Sequence, residues 1–245
     1  MARDPQHRDQ LPFLQLLPNL VTISGMCLGL TSIRFAMDER FETAALLILL
    51  SALIDGLDGL IARRLNATSD FGAELDSLSD FLCFGVAPGV LVYQYALGET
   101  HSLGWIFVLI FAASTCMRLA RFNVMRGESE ETARHFIGVP APAGALLGLL
   151  PVFLSLAGVL DMRLVPMLVA LWLGCVGLLM ISRLKTFSPK AVKVPRGMVG
   201  ILLMATVVGI GLVFTRIWLL LVLVDLAYVV MLAPAIIRSR GRLFS

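Results

Sequence analysis

The stretch SALIDGLDGLIARR (residues 51–64), followed by DFGAELDSLSDFLCFGVAP (residues 70–88), decides how the chain is read. Both halves are apolar runs of helical length, and both carry aspartates within them: Asp55 and Asp58 in the first, and Asp76 and Asp80 in the second, beyond the Asp70 that opens it. Asp55 and Asp58 stand at i, i+3, while Gly72, Asp76 and Asp80 stand at i, i+4, i+8, so each set lines one face of a helix. A short loop around Asn66 lets the two acidic faces meet. Gly56, Gly59 and Ala62 on one side and Gly72 on the other remove side-chain bulk, which allows a neighbouring helix or a ligand to approach the backbone closely.

The rest of the chain says what surrounds that pair. Over 245 residues, 58% are hydrophobic and 15% charged, and the mean hydropathy is +0.88. This excludes a water-soluble globule, a disordered chain, a collagen and a coiled coil. Stretches long enough to cross a bilayer are expected at Leu20 to Met37, Phe41 to Arg64, Phe71 to Leu97, Leu103 to Met125, Ala143 to Leu160, Leu164 to Leu184, Val199 to Phe214 and Ile217 to Ile237. The fold class expected is an all-α, polytopic membrane helix bundle of about eight transmembrane helices. Residues 1–245 read as one integral-membrane domain, with a cytoplasmic N-terminal segment 1–19 and a tail 238–245. The first apolar stretch is too long for a signal-peptide core and is followed by no small-residue cleavage site, so it reads as a span.

The basic residues test this topology. Eight spans put sixteen Lys and Arg on one side, and only Arg34, Arg40, Arg163 and Arg216 on the other. By the positive-inside rule both termini are cytoplasmic, and the longer loops, Gly127 to Pro142 and Lys185 to Met198, lie on the same face as the aspartates. A formal charge of +3 is too modest to imply nucleic acid. Cys27, Cys83, Cys116 and Cys175 fall one to an apolar segment with no paired spacing, and His7, His101 and His135 show no ligand spacing, so zinc is not expected.

Each aspartate near a helix centre costs about 2.5–3.5 kcal/mol on insertion scales, so four of them require compensation. One reading is salt bridges to Arg63, Arg64, Arg118 and Arg121; another is a cation pathway of a transporter, which fits poorly with carboxylates gathered at one membrane edge. The reading favoured is a hard, all-oxygen site for Mg²⁺, Mn²⁺ or Ca²⁺, with two divalent ions balancing four charges. Two ions can clamp a reacting phosphate together with its leaving oxygen.

Taken together, Asp55, Asp58, Gly59, Ala62, Arg63, Gly72, Asp76 and Asp80 fill, at fixed spacing, a pattern that resembles the signature of the CDP-alcohol phosphatidyltransferases. The resemblance implies transfer of a phosphatidyl group from CDP-diacylglycerol to a small alcohol, with release of CMP. By that likeness Asp55, Asp58, Asp76 and Asp80 are metal ligands, and Asp80 is also the general base towards the acceptor hydroxyl. Gly59, Ala62 and Gly72 are small positions beside the nucleotide, and Arg63 lies near the diphosphate. The segment PNLVT (residues 18–22) is similar to the family's N-terminal segment, which implies nucleotide or diphosphate contacts for Asn19 and Thr22; its plain alternative is a capped helix start at Pro18-Asn19.

RLARFN (residues 118–123), FIGVPAPAG (residues 136–144) and SRLKTFS (residues 182–188) resemble the bacterial phosphatidylserine synthase branch, which makes L-serine the expected acceptor and Arg118, Arg121 and Asn123 its candidate contacts. Charge alone leaves open a sister enzyme acting on glycerol 3-phosphate, inositol phosphate or choline, since a cationic site receives a carboxylate or a phosphate equally well. The likeness also implies a homodimer in the bacterial cytoplasmic (inner) membrane, with the active site on the cytoplasmic side. Asp225, in the last apolar stretch, matches no position of the pattern and is expected to be paired internally.

Overall fold

The computed structural model describes residues 13–65, 69–100, 102–125, 136–182, 185–186 and 199–238. The polar lead before Phe13, the three histidines, most of the two long loops and the tail after Arg238 therefore lie outside the described residues. Those described are almost entirely helical: α1 Phe13–Met37, α2 Phe41–Arg64, α3 Asp70–Leu97, α4 Ser102–Met125, α5 Ala141–Leu156, α6 Pro166–Ile181, α7 Val199–Thr215 and α8 Ile217–Arg238. Five helical stretches, Leu16–Met37, Phe41–Arg64, Asp70–Leu97, Ser102–Met125 and Ile217–Pro234, are long and apolar enough to cross a membrane; α5, α6 and Leu203–Thr215 are shorter apolar helices.

These segments are helical for local reasons. Strongly apolar sequence with little amphipathic bias forms helices buried in protein or lipid, because hydrogen bonds within the helix satisfy every backbone group. Ser69 caps α3, its side chain accepting from the Gly72 amide at 3.0 Å, and Asp70 adds a favourable charge in the first turn. α3 is not a plain α-helix throughout: it widens to π-helical turns over Phe81–Val86, directly after Asp80, and again over Tyr93–Leu97. Beyond the helices, one short antiparallel pair joins β1, Phe136–Ile137, to β2, Lys185–Thr186, which ties the approach to α5 to the exit from α6.

Helix α1 packs along α2 and against the start of α3, α4 packs along α6, and α5 carries α8. The core lies between α3, α4, α5 and α6, with Phe111, Leu147, Leu149, Phe153 and Leu173 fully buried. Small residues let these helices close up: a Cβ on Gly85 would come within 3.1 Å of Thr115, and one on Gly177 within 3.3 Å of the Phe111 backbone. Helix α8 is anchored on α5 by a stacked Phe153–Trp218 pair with centroids 6.0 Å apart. At the opposite end from the aspartates, the Arg163 guanidinium donates two hydrogen bonds to Asp161 and sits over the Tyr95 ring; that guanidinium holds the Asp161 carboxyl below the usual carboxylate range. Large hydrophobic side chains are exposed over the outside of α1, α2, α4, α6 and α7. A surface of that kind suits hydrocarbon and not water.

Candidate active site

The site is built where α1 meets the end of α2 and the start of α3. Asp55, Asp76 and Asp80 each present a carboxylate oxygen, and the three oxygens lie within 4.8 Å of one another. Asp58 is held differently. It is buried, and its Oδ2 accepts a 2.7 Å hydrogen bond from Thr22 Oγ1 on α1. The four aspartates are thus three converging groups and a fourth gripped from a third helix, where the sequence suggested two equivalent pairs.

Three like charges at this separation repel strongly in low-dielectric surroundings and call for a positive partner. Among the described residues the cluster is all oxygen, with no histidine or cysteine in it, so its donor set fits a hard divalent cation. Arg63 and Arg121 are engaged elsewhere, and among the arginines of the salt-bridge reading Arg118 is the one within electrostatic reach of Asp80. Arg63 Nε donates to the Gly59 carbonyl at 2.9 Å, and Arg121 Nη1 donates to the Ile181 carbonyl at 3.0 Å.

Beside the cluster opens a cavity of about 590 Å³. Asn19, Thr22, Gly59, Ala62, Arg63 and Gly72 all line it, and so do Asp58 and Asp76. Thr22 and Asp58 also line a tighter chamber that reaches Asp55 and Asp80, so they form the partition between the open cavity and the deeper carboxylates. A Cβ on Gly59 would meet no described atom within 4 Å, whereas a Cβ on Gly72 would fall 2.9 Å from Asn19 Oδ1. Gly59 therefore keeps space open, and Gly72 lets α3 touch α1.

The capped helix start at Pro18-Asn19 is overturned. Among the described residues α1 is already helical at Phe13 and carries Pro18 inside it. Asn19 is left facing the cavity.

The three acceptor candidates separate. Asn123 Nδ2 donates to Ser77 Oγ at 3.0 Å, which ties α4 to α3, and Arg121 ties α4 to the end of α6. Neither lines the cavity. Arg118 differs: its guanidinium is within electrostatic reach of Asp80 and of Tyr228, and its buried Nε has no hydrogen-bond partner among the described residues. Asp225, expected to be paired, is buried with Oδ2 unpartnered among those residues. Sequence reasoning missed Ser69 and Asp70 in the cavity wall, although the spacing from Ser69 to Gly72 is legible as a helix cap. It also missed Tyr228, which carries no motif.

The sequence model of the CDP-alcohol phosphatidyltransferase family matches residues 15–181, from the third residue of α1 to the last residue of α6. The chain belongs to that family. It is 38% identical over 193 residues to the CDP-diacylglycerol–serine O-phosphatidyltransferase of Mycobacterium leprae, covering 74% of this chain and 61% of the relative. It is 42% identical over 142 residues to the protein of the same name from Helicobacter pylori, covering 58% of this chain and 59% of the relative. A third protein of that name, from Bacillus subtilis, is 36% identical over 138 residues, covering 56% of this chain and 76% of the relative. The chain spans about half to three fifths of the length of the mycobacterial and Helicobacter relatives.

Proposed function

We propose that this phosphatidyltransferase moves the phosphatidyl group of CDP-diacylglycerol to the hydroxyl of L-serine, giving phosphatidylserine and CMP. The observation that carries the reading is the cavity itself: the residues of the family pattern, contributed by three helices, form its wall directly beside the Asp55–Asp76–Asp80 cluster. The names of relatives at 36–43% identity support serine as the acceptor.

In this reading the nucleotide lies against Gly59, Ala62 and Gly72, where the absence of bulk admits it, with Asn19 offering an amide and Arg63 a charge at the rim. Asp55, Asp58, Asp76 and Asp80 would hold two divalent ions, Mg²⁺ or Mn²⁺ foremost and Ca²⁺ as a further candidate, which when bound would neutralise charge on the diphosphate and on the departing CMP. Thr22 orients Asp58 by its hydrogen bond. Asp80, deepest of the cluster on α3, takes the proton of the serine hydroxyl as its oxygen attacks the phosphatidyl phosphorus, since a neutral alcohol is a poor nucleophile. Arg118 receives the serine carboxylate.

The same reading makes the chain a single membrane domain with eight crossing helices, both termini and the site on the cytoplasmic side of a bacterial inner membrane, working as a homodimer. The partition of basic residues supports the orientation. The test is release of CMP by purified protein given CDP-diacylglycerol, a divalent salt and a panel of L-serine, glycerol 3-phosphate, inositol phosphate and choline. Serine-dependent release is expected; release with glycerol 3-phosphate and none with serine would move the chain to a sister activity.

A further inference from the structure

The family match stops at residue 181, yet a residue well beyond it reaches the neighbourhood of the site. Tyr228 belongs to α8, is half-buried against the core, and lies within electrostatic reach of the Arg118 guanidinium. Arg118 in turn is within reach of Asp80. The three residues come from α8, α4 and α3.

Backbone geometry places them in one layer. Phe153 near the end of α5 stacks on Trp218 near the start of α8, so α8 runs back along α5 and its later turns lie against β2, which follows α6; Arg121, three residues beyond Arg118, bonds to Ile181 at that same end of α6. At 1.5 Å per residue, Asp80 lies about 15 Å from the start of α3, Arg118 about 10 Å from the end of α4, and Tyr228 about 15 Å from the end of α8. The Phe153–Trp218 stack fixes α8 on α5 further along, so Tyr228 is held by a packed helix and not by a loop.

Arg118 is the sign that something belongs between them. A guanidinium has five N–H donors and no acceptor. A buried donor without a partner is unfavourable, and Arg118 Nε is one. A carboxylate could take two donors of the fork at once.

We propose that Tyr228, brought in by α8, forms the wall of the acceptor site opposite the carboxylate cluster and that its hydroxyl, together with the Arg118 guanidinium, hydrogen-bonds the acceptor's anionic group. This rests on the proposed transfer to serine. It assigns to the last helix, outside the segment matched by the family, a part in choosing the alcohol. The nucleotide cavity is lined by α1, α2, α3 and the loop before α3, and α8 takes no part in it. Selection of the alcohol and binding of the nucleotide are thereby divided between different helices.

The test is steady-state CMP release by the full chain in detergent, comparing wild type with Tyr228→Phe, which keeps the ring and its packing and removes only the hydroxyl. L-serine is compared with serinol, which has a hydroxymethyl group in place of the carboxylate. The KM for serine should rise roughly tenfold or more, the scale of one hydrogen bond to a charged group. The KM for CDP-diacylglycerol and the turnover of serinol should stay near wild type. Arg118→Gln should lower the preference for serine over serinol as well. If wild type discriminates serine from serinol and Tyr228→Phe discriminates equally well, the assignment of Tyr228 fails while the proposed function stands. If wild type does not use serine, the proposed function fails and this inference with it. A loss in Tyr228→Phe that is equal for serine and serinol would reduce Tyr228 to packing and also overturn the assignment.

Discussion

Thr22 Oγ1 donates to Asp58 Oδ2 at 2.7 Å across 36 residues of sequence, joining α1 to α2 at the partition between the open cavity and the carboxylate cluster. The same hydroxyl lies 3.1 Å from the Pro18 carbonyl, and it has a single proton to give. A carboxylate is the stronger acceptor, so the proton is directed to Asp58 whenever that group is charged. Ser79 Oγ adds a 3.3 Å bond to the Thr22 carbonyl, so α3 grips the same turn of α1.

Removing that hydroxyl should loosen Asp58 without touching the other three carboxylates. Thr22→Val is expected to raise the divalent-metal concentration needed for half-maximal CMP release by roughly tenfold, the scale of a lost hydrogen bond to a charged group. Thr22→Ser should restore it. An unchanged metal titration in Thr22→Val would mean that Asp58 needs no support from α1.

Two glycines of the cavity should respond differently to the same added methyl. At Gly59 the Cβ meets nothing within 4 Å, so Gly59→Ala should leave thermal stability unchanged while raising the KM for CDP-diacylglycerol. At Gly72 the Cβ would press on Asn19 Oδ1 at 2.9 Å and on Ser69 Oγ at 3.1 Å, the latter being the helix cap. Gly72→Ala should therefore lower both stability and substrate affinity. Equal behaviour of the two variants in melting and in KM would contradict the division drawn here.

Gly138 makes a structural prediction away from the chemistry. Its φ is +83°, and a Cβ there would sit 2.6 Å from the Met180 carbonyl and 2.9 Å from that of Ser182, both backbone atoms that cannot swing aside. Gly138→Ala should cost about 1–3 kcal/mol, the range for a forced left-handed residue. Thermal unfolding in detergent would reveal the loss, and a melting temperature equal to that of the wild type would contradict it.

The site was legible to the extent that it is local. Helix periodicity alone puts Asp76 and Asp80 on one face and Asp55 near Asp58, and the likeness to a known pattern adds the small residues of the cavity wall. What sequence could not supply were relations between distant helices. Asp58 and Thr22, Asn123 and Ser77, and Arg121 and the Ile181 carbonyl each join segments whose spacing in the chain says nothing about their contact. Hence Arg121 and Asn123, which carry the chemistry of an acceptor site, turn out to hold helices together. The helix boundaries show the same limit: Pro18 in α1 is accommodated by tertiary packing against α2 and α3, where local propensity favours a helix start. The π-helical turns after Asp80 have no sequence signal.

Orientation in the membrane is open to labelling. With the four native cysteines replaced, single cysteines at Asp161 and at Lys190 should react from opposite faces, the latter from the cytoplasm, as the sixteen-to-four partition of basic residues requires. Reaction of both from one face would remove the eight-span arrangement.

Asp80 separates ligand from base. It lies one turn beyond Asp76 on α3, shares the 4.8 Å cluster with Asp55 and Asp76, and has the Arg118 guanidinium within electrostatic reach. That position faces both the carboxylate cluster and the proposed acceptor site. Asparagine keeps the shape and one oxygen able to act as a ligand, but it cannot accept a proton from the serine hydroxyl. Asp80→Asn should therefore retain most binding of CDP-diacylglycerol and lose about 10²-fold or more in turnover, the scale of a removed general base. Asp55→Asn and Asp76→Asn should instead weaken metal dependence and turnover together, and excess chelator should abolish activity in every variant. The double variants should lose little more than the worse single one, because groups acting as one site are strongly non-additive. Near-normal turnover of serine by Asp80→Asn would take the base assignment away from Asp80, and full activity in excess chelator would remove the metal from the site.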